Sequence, residues 1–447
     1  MSMSRRAWWL AGLLVLAYVA YTAWAWAGAP AVMTDDSYRY FGARWLDFSG
    51  VLEPLNGGVA TALLFALIHE PVLIAGVQVL AFAAASSLLA LAVVVRLRGH
   101  WTGWLLAIGV LVISLMPVFW SSHLALASES LMFTAANLWL ASVVWLTTAR
   151  RGEAGPLVAN AAAIALLALV RPQAMLALVP AQIVILVWWG RYERSGRAAF
   201  AAMTTMVPFA AFAAYRVWQV ADHDRWPFRY ALHNLVAKDS SFRDYALARM
   251  PQCELVTAGL SGPTPWPSTM ALETDLPSAC PETFLWFASD ATLASTWVRE
   301  IPSQALSGFA ADLPGLTLLR WTQDTALPRQ LDGFLMPGPS PWLLILAALA
   351  TGALLAAFAG VRPRVTFRAV IGLCLALVPI IAFVFTVWAV DGLDFGRHVF
   401  PFLPLAAVAA LVLPATMPSR TERPRGARLG EISTKWTRPQ AASEDTS

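Results

Sequence analysis

The chain has 447 residues, of which 58% are hydrophobic and 13% charged, with a mean hydropathy of +0.61. Soluble domains carry about 25% charged residues, so this composition excludes a water-soluble protein. The 22 Phe and 21 Trp exclude a disordered chain, and only three cysteines exclude a disulfide-stapled scaffold.

A helix needs about 20 mostly apolar residues to cross a bilayer. Ten segments approach that pattern: 7–29, 71–95, 102–120, 124–148, 155–170, 172–189, 198–220, 341–360, 367–390 and 399–416. The fifth is short, and the cut between it and the sixth falls at Arg171-Pro172. Trp8, Trp9, Trp24, Trp26, Trp101, Trp120, Trp188, Trp189, Trp218, Trp342 and Trp388 lie near segment ends, the belt expected at a membrane interface. The first segment, after Arg5-Arg6, is longer and bulkier than the apolar core of a signal peptide, so a retained anchor is expected.

Arginines set the orientation. Arg5/Arg6, Arg96/Arg98, Arg150/Arg151, Arg191/Arg194/Arg197, Arg362/Arg364/Arg368 and the basic tail all fall on one side if the spans alternate. The expected fold is therefore an all-α polytopic membrane protein with about ten transmembrane helices and both termini cytoplasmic. The net charge of +4 is then a topology signal, and no nucleic acid is expected as a partner. The domain reading is a membrane core over 1–220 with an extracytoplasmic loop at 30–70, an extracytoplasmic insert at 221–340 between helices seven and eight, a C-terminal membrane segment at 341–417, and a disordered basic cytoplasmic tail at 418–447. The localisation that follows is multi-pass in a bacterial inner or plasma membrane, with the chemistry on the extracytoplasmic face.

Polar clusters recur at the outer ends of these spans. Thr34-Asp35-Asp36-Ser37 follows the first span and precedes Tyr38, Phe41, Trp45 and Phe48, spaced as one face of an interfacial amphipathic helix. One Asp suffices to cap a helix, so the second of the pair is left for other work. Short turns are expected at 120–130 and 391–398. The first holds His123 and Glu129, and an ionisable Glu in so apolar a stretch needs a partner or water. Arg171-Pro172 puts a cation at an outer helix start, either paired with an acid or holding an anion. The second turn carries Asp391, Asp394, Arg397 and His398, followed by Pro401 and Pro404. His69-Glu70-Pro71 is a weaker cluster that marks the start of the second span. In the insert, Cys253 and Cys280 are expected to form a disulfide in an oxidising compartment, among prolines that favour loops over one long helix. The arginine-rich side shows no P-loop and no nucleotide fingerprint, which argues against a nucleotide-dependent enzyme acting there.

The ordered set resembles the C-type (GT-C) polytopic glycosyltransferases that use polyprenyl-phosphate sugars. The resemblance rests on Asp35-Asp36 in the first external loop, Ser128-Glu129 near the start of a following span, Arg171-Pro172 at an outer helix start, and Arg397-His398 leading into a Pro-containing last span. It covers the membrane core, and the insert matches no pattern of the family. It implies a lipid-linked sugar donor, membrane lipids around it, and an extracytoplasmic glycan, lipid or protein as acceptor. In such a reaction a carboxylate takes the acceptor hydroxyl proton and cations stabilise the departing phosphate. The roles implied are catalysis by Asp35 with Asp36, donor-phosphate binding by Arg397, Arg171 and His398, and substrate binding by Glu129, His123 and Asp394. Asp35 and Asp36 would also suit a divalent cation, Mg²⁺ or Mn²⁺, although relatives work without one. Two other readings remain: a transporter or lipid-linked glycan flippase, which would call for charged or broken helices at the midplane, and a non-catalytic envelope assembly protein.

Overall fold

The computed structural model describes residues 4–27, 29, 31–33, 37, 40–41, 58–124, 126, 128–148, 154–193, 196–221, 241–260, 274–289, 293–312, 341–361, 363, 365–367, 370–374, 378, 381–382, 385 and 402–416. Among these there is no strand, and the fold is all-α.

Helix α1 (Arg5–Trp26) starts at Ser4, whose Oγ accepts a hydrogen bond from the Ala7 amide at 3.2 Å. Its 22 residues give a rod of about 33 Å. The short apolar helix α2 (Val59–Leu67) follows. Next come α3 (Pro71–Arg96), with proline at its first turn, and α4 (Trp101–Ser114). The expected span at 102–120 is interrupted. α4 ends at Ser114, and a separate helix α5 (Pro117–Leu124) begins two residues beyond Leu115. Pro117 has no N–H to continue the ladder but suits a first turn, so the chain stops and restarts there. Most of what was expected as an open turn at 120–130 is thus helical.

The bundle continues through α6 (Ser128–Thr148), α7 (Gly155–Val170), α8 (Pro172–Glu193) and α9 (Gly196–Ala221). The insert carries the short helices α10 (Ser241–Leu247), α11 (Glu254–Leu260), α12 (Pro281–Ser289), α13 (Leu293–Glu300) and α14 (Pro302–Asp312), and after it come α15 (Pro341–Phe358) and α16 (Phe402–Thr416). α1, α3 and the stretch Ser128–Leu146 are long and apolar enough to cross a membrane, and several shorter apolar helices accompany them.

α3 and α6 form the centre, with α7 against α6, α8 and α9 against α7, and α16 packed between α15 and α4. Phe82, Leu89, Val110, Leu140, Val143 and Leu167 are among the buried contacts. The outward faces are apolar too: Trp9, Leu16 and Leu343 are each more than 60% exposed. A water-facing surface seldom carries such a coat.

Polar side chains inside the bundle bond to one another. Trp139 Nε1 donates to Gln182 Oε1 at 2.7 Å, Gln182 donates to Asn160, and Asn160 Nδ2 donates to Ser142 Oγ at 2.9 Å. The chain closes where Ser142 Oγ donates to the Trp139 carbonyl at 2.6 Å. It joins α6, α7 and α8, with each interhelical bond worth about 0.6 kcal/mol in a membrane setting. Arg96 Nε donates to the Thr416 carbonyl at 2.7 Å, giving the last carbonyls of α16 a cationic partner.

Two helices end in the same way. After α15, the Gly360 amide bonds the Ala357 carbonyl and the Val361 amide bonds that of Ala356, with Gly360 at φ +74°. After α3, the Arg98 amide bonds the Val95 carbonyl and the Gly99 amide bonds that of Val94. Here the left-handed position is occupied by Arg98, at φ +55°.

The buried side chains of the insert continue the core of the bundle. Cys253 and Cys280 are disulfide-bonded with their Cα atoms 6.0 Å apart. Prolines divide the surrounding chain into short helices, including a helical turn at 274–279. Phe242 packs edge-on against Trp297 at 5.5 Å, and Phe309 meets Phe385 at 5.1 Å. Residues 418–447 lie outside the described residues.

Candidate functional site

The first turn of α6 carries Ser128, Glu129 and Ser130, all buried. Arg171, in extended backbone between α7 and α8, points its Nη1 at Glu129 Oε1, 2.6 Å away. The same nitrogen reaches Ser128 Oγ at 3.3 Å. Two groups 42 positions apart in sequence therefore form a buried ion pair. Removing a lone charge from water costs several kcal/mol, so each partner is what makes the other tolerable.

His123, near the end of α5, is 1% exposed. Its Nδ1 shares a 2.7 Å hydrogen bond with Ser130 Oγ, and its ring lies 4.5 Å from that of Phe82. Phe119 and Phe133 complete an aromatic box around it. Its Nε2 has no hydrogen-bond partner among the described residues. Burial pushes the imidazolium down to about 3, so the ring is neutral at ordinary pH.

Residues from the first loop come to this end of the bundle. The Val32 amide donates to the Leu124 carbonyl at 2.8 Å, and Ser37 Oγ donates to the Leu126 carbonyl at 2.9 Å. Leu126 is fully buried and has φ +27°, a conformation uncommon for a branched residue and one that stores strain. Tyr40 and Phe41 both pack on Phe65 of α2, at 5.2 and 5.1 Å. Tyr40, one position off the expected Tyr38/Phe41 stripe, is buried, so this part of the first loop faces the bundle rather than only the membrane surface.

Two further segments close on the pair. Gly58, at the start of α2, lies so close to the Val170 carbonyl that any Cβ there would overlap it. Phe402, first in α16, packs with Met132, Val170 and Ala174. The sequence neighbours of Glu129 and Arg171 therefore touch the beginnings of α2 and α16.

Asp35, Asp36, Asp394, Arg397 and His398 lie outside the described residues. Of the expected site, the described part brings together Glu129 and Arg171, with His123 nearby through Ser130. His69 and Glu70 are exposed before α3. Among the described residues no group of three or more His, Cys, Asp or Glu side chains is placed to hold a metal ion.

The sequence reading gave no role to Ser37, Ser130 or Gly58, whose roles depend on contacts across the chain. It also passed over Arg216, buried near the end of α9 and donating to Gln219 Oε1 at 3.2 Å. An arginine within an apolar helix was a readable signal. No family model, curated protein or solved structure matches the chain.

Proposed function

We propose that the protein is a membrane glycosyltransferase of the C type, moving a sugar from a polyprenyl-phosphate donor to an acceptor hydroxyl on the face opposite its arginine-rich loops. The carrying observation is the docking of Ser37, two residues after Asp35, on the Leu126 carbonyl, three residues before Glu129. The packing of Phe402, five residues after Arg397, beside Val170 supports the same reading.

In the proposed reaction the Asp35 carboxylate takes the acceptor hydroxyl proton. The hydroxyl oxygen bonds to the anomeric carbon from the face opposite the phosphate. The carbon–oxygen bond to the phosphate breaks, and its electron pair leaves with polyprenyl phosphate. Asp36 would orient Asp35, while Arg397 and His398 would stabilise the leaving phosphate. Arg171 would serve the same phosphate while anchored to Glu129, and neutral His123, with Glu129 and Asp394, would shape the sugar or acceptor side. The donor lipid would reach the site from the surrounding bilayer.

The test incubates membranes with a panel of radiolabelled polyprenyl-phosphate sugars. Wild-type membranes are expected to transfer label from one of them, and Asp35→Asn at equal expression to lose at least about 100-fold of that rate. Full transfer by Asp35→Asn would refute the base assignment. Failure of wild type with every donor would refute the glycosyltransferase reading.

A further inference from the structure

A cavity of about 600 Å³ opens between α1, α3, α6 and α7, away from the Glu129–Arg171 pair. Its walls include Leu88 and Val95 of α3, Trp145 of α6, and Ala162 and Leu166 of α7, with Trp8 of α1 at one edge. These contributions come from the last turns of α3 and α6 and from α7 before its end at Val170. They place the cavity in the half of the bundle that ends in Arg5, Arg96 and Arg98.

The lining is almost wholly apolar, and its one hydroxyl is already committed: Ser142 Oγ accepts from Asn160 and donates to the Trp139 carbonyl. A buried water needs about two to four polar partners, which these walls do not offer. The volume lies in the range that houses an elongated small-molecule ligand. Trp8 belongs both to this cavity and to a second recess lined by Arg5, Trp9 and Gly12. Arg5 makes no ion pair among the described residues. An apolar slot therefore runs to an indole and then to a guanidinium, in the order of tail, interface and phosphate in a lipid.

We infer that this is a binding site for one anionic phospholipid of the leaflet facing the arginine-rich loops. Its acyl chain lies between α3, α6 and α7, and its phosphate is held by Arg5. Juxtamembrane basic residues attract anionic lipid, and an indole settles at headgroup level. The site is separate from the proposed transfer chemistry and stands whether or not that proposal holds. Its occupant would fill the gap beside α1, which packs in the bundle chiefly through α3.

The test reconstitutes the full chain in vesicles of phosphatidylcholine with a trace of photoactivatable phosphatidylglycerol bearing a diazirine at mid-chain, and maps cross-links by mass spectrometry. Cross-links are expected to concentrate on 88–95 and 159–166. They should fall at least fivefold in Ala162→Phe, which fills the slot from an exposed wall position. They should fall in Arg5→Gln for the anionic probe but not for a phosphatidylcholine probe. Retention of the gel-filtration peak and helical circular dichroism identifies folded variants. If Ala162→Phe does not fold, Ala162→Leu and competition by unlabelled phosphatidylglycerol test the same slot. Labelling spread evenly over the lipid-facing helices and indifferent to these changes would overturn the site. Displacement by polyprenyl phosphate but not by phosphatidylglycerol would overturn the assigned occupant.

Discussion

A buried ion pair becomes a liability once one partner is lost. Glu129 and Arg171 are both largely shielded, at 3% and 11% side-chain exposure, and meet at 2.6 Å. Glu129→Gln keeps the shape and takes from the guanidinium its described carboxylate, so stability should fall by up to about 3 to 5 kcal/mol. The double variant Glu129→Leu/Arg171→Met removes both charges and should recover most of that loss in a detergent melting assay. Transfer activity should not recover with it, because the proposed chemistry needs the cation near the donor phosphate. Recovery of both together would make the pair purely structural. His123 supports a different prediction, one of pH. Its folded-state value of about 3 lies below the ordinary value near 6.5. The unfolded chain takes up a proton first as pH falls, so His123 contributes stability above about 6.5 that is lost progressively on acidification towards 3. The slope approaches about 1.4 kcal/mol per pH unit. Melting between pH 7 and 5 should show a steeper decline for wild type than for His123→Gln, and parallel slopes would contradict a buried neutral ring. The need of Glu129 for a partner was legible from its apolar surroundings. That the partner is Arg171 was not, because an arginine in that place fits pairing with an acid or holding an anion equally well.

Elements place these residues through close backbone approaches. At Gly58 the start of α2 abuts the end of α7, one residue before Arg171. Gly58→Ala forces a methyl into the Val170 carbonyl, and relief requires moving backbone rather than a side-chain tip. The expected cost is about 1 to 3 kcal/mol, with a larger loss of transfer than of expression. Gly12→Ala, with open space around it, should change neither. Arg98 predicts an opposite sign. It holds a left-handed position at φ +55° that glycine occupies after α15. Arg98→Gly should stabilise the protein by about 0.5 to 1 kcal/mol, read as a higher melting temperature. Apolar length and arginine placement made most of the helices legible, whereas hydropathy says nothing of where a backbone breaks. The run 102–120 reads as one span although Pro117 divides it, and the nine residues of α2 are too few to stand out as a span. Ser37 shows the other limit: a serine in a polar loop carries no mark of the carbonyl it reaches 89 positions away.

At the scale of the whole molecule, a membrane bundle and a small disulfide-closed insert raise the question of whether they unfold together. The cysteines were legible as a pair because they share one polar stretch while Cys374 lies in an apolar one. The insert buries Phe242, Phe287 and Trp297, and Arg249 and Tyr245 both approach Glu300. Its described aromatic contact with the segment before α16 is Phe309 on Phe385. The disulfide spans a sequence separation of 27, and removing it frees loop entropy worth about 3 kcal/mol in the unfolded insert. The bundle gains nothing from that closure, being held by the hydrogen bonds among α6, α7 and α8 and by apolar packing. Amide exchange of the Cys253→Ser/Cys280→Ser variant should therefore accelerate by about 100-fold in α10 through α14. Exchange in α3 and α6 should stay at its wild-type rate. Equal acceleration in both regions would mean that the Phe309–Phe385 contact couples insert and bundle into one cooperative unit. Reduction would then lower the stability of the Glu129 site as well, an outcome separable by repeating the measurement in Phe309→Ala, where coupling through that contact is removed.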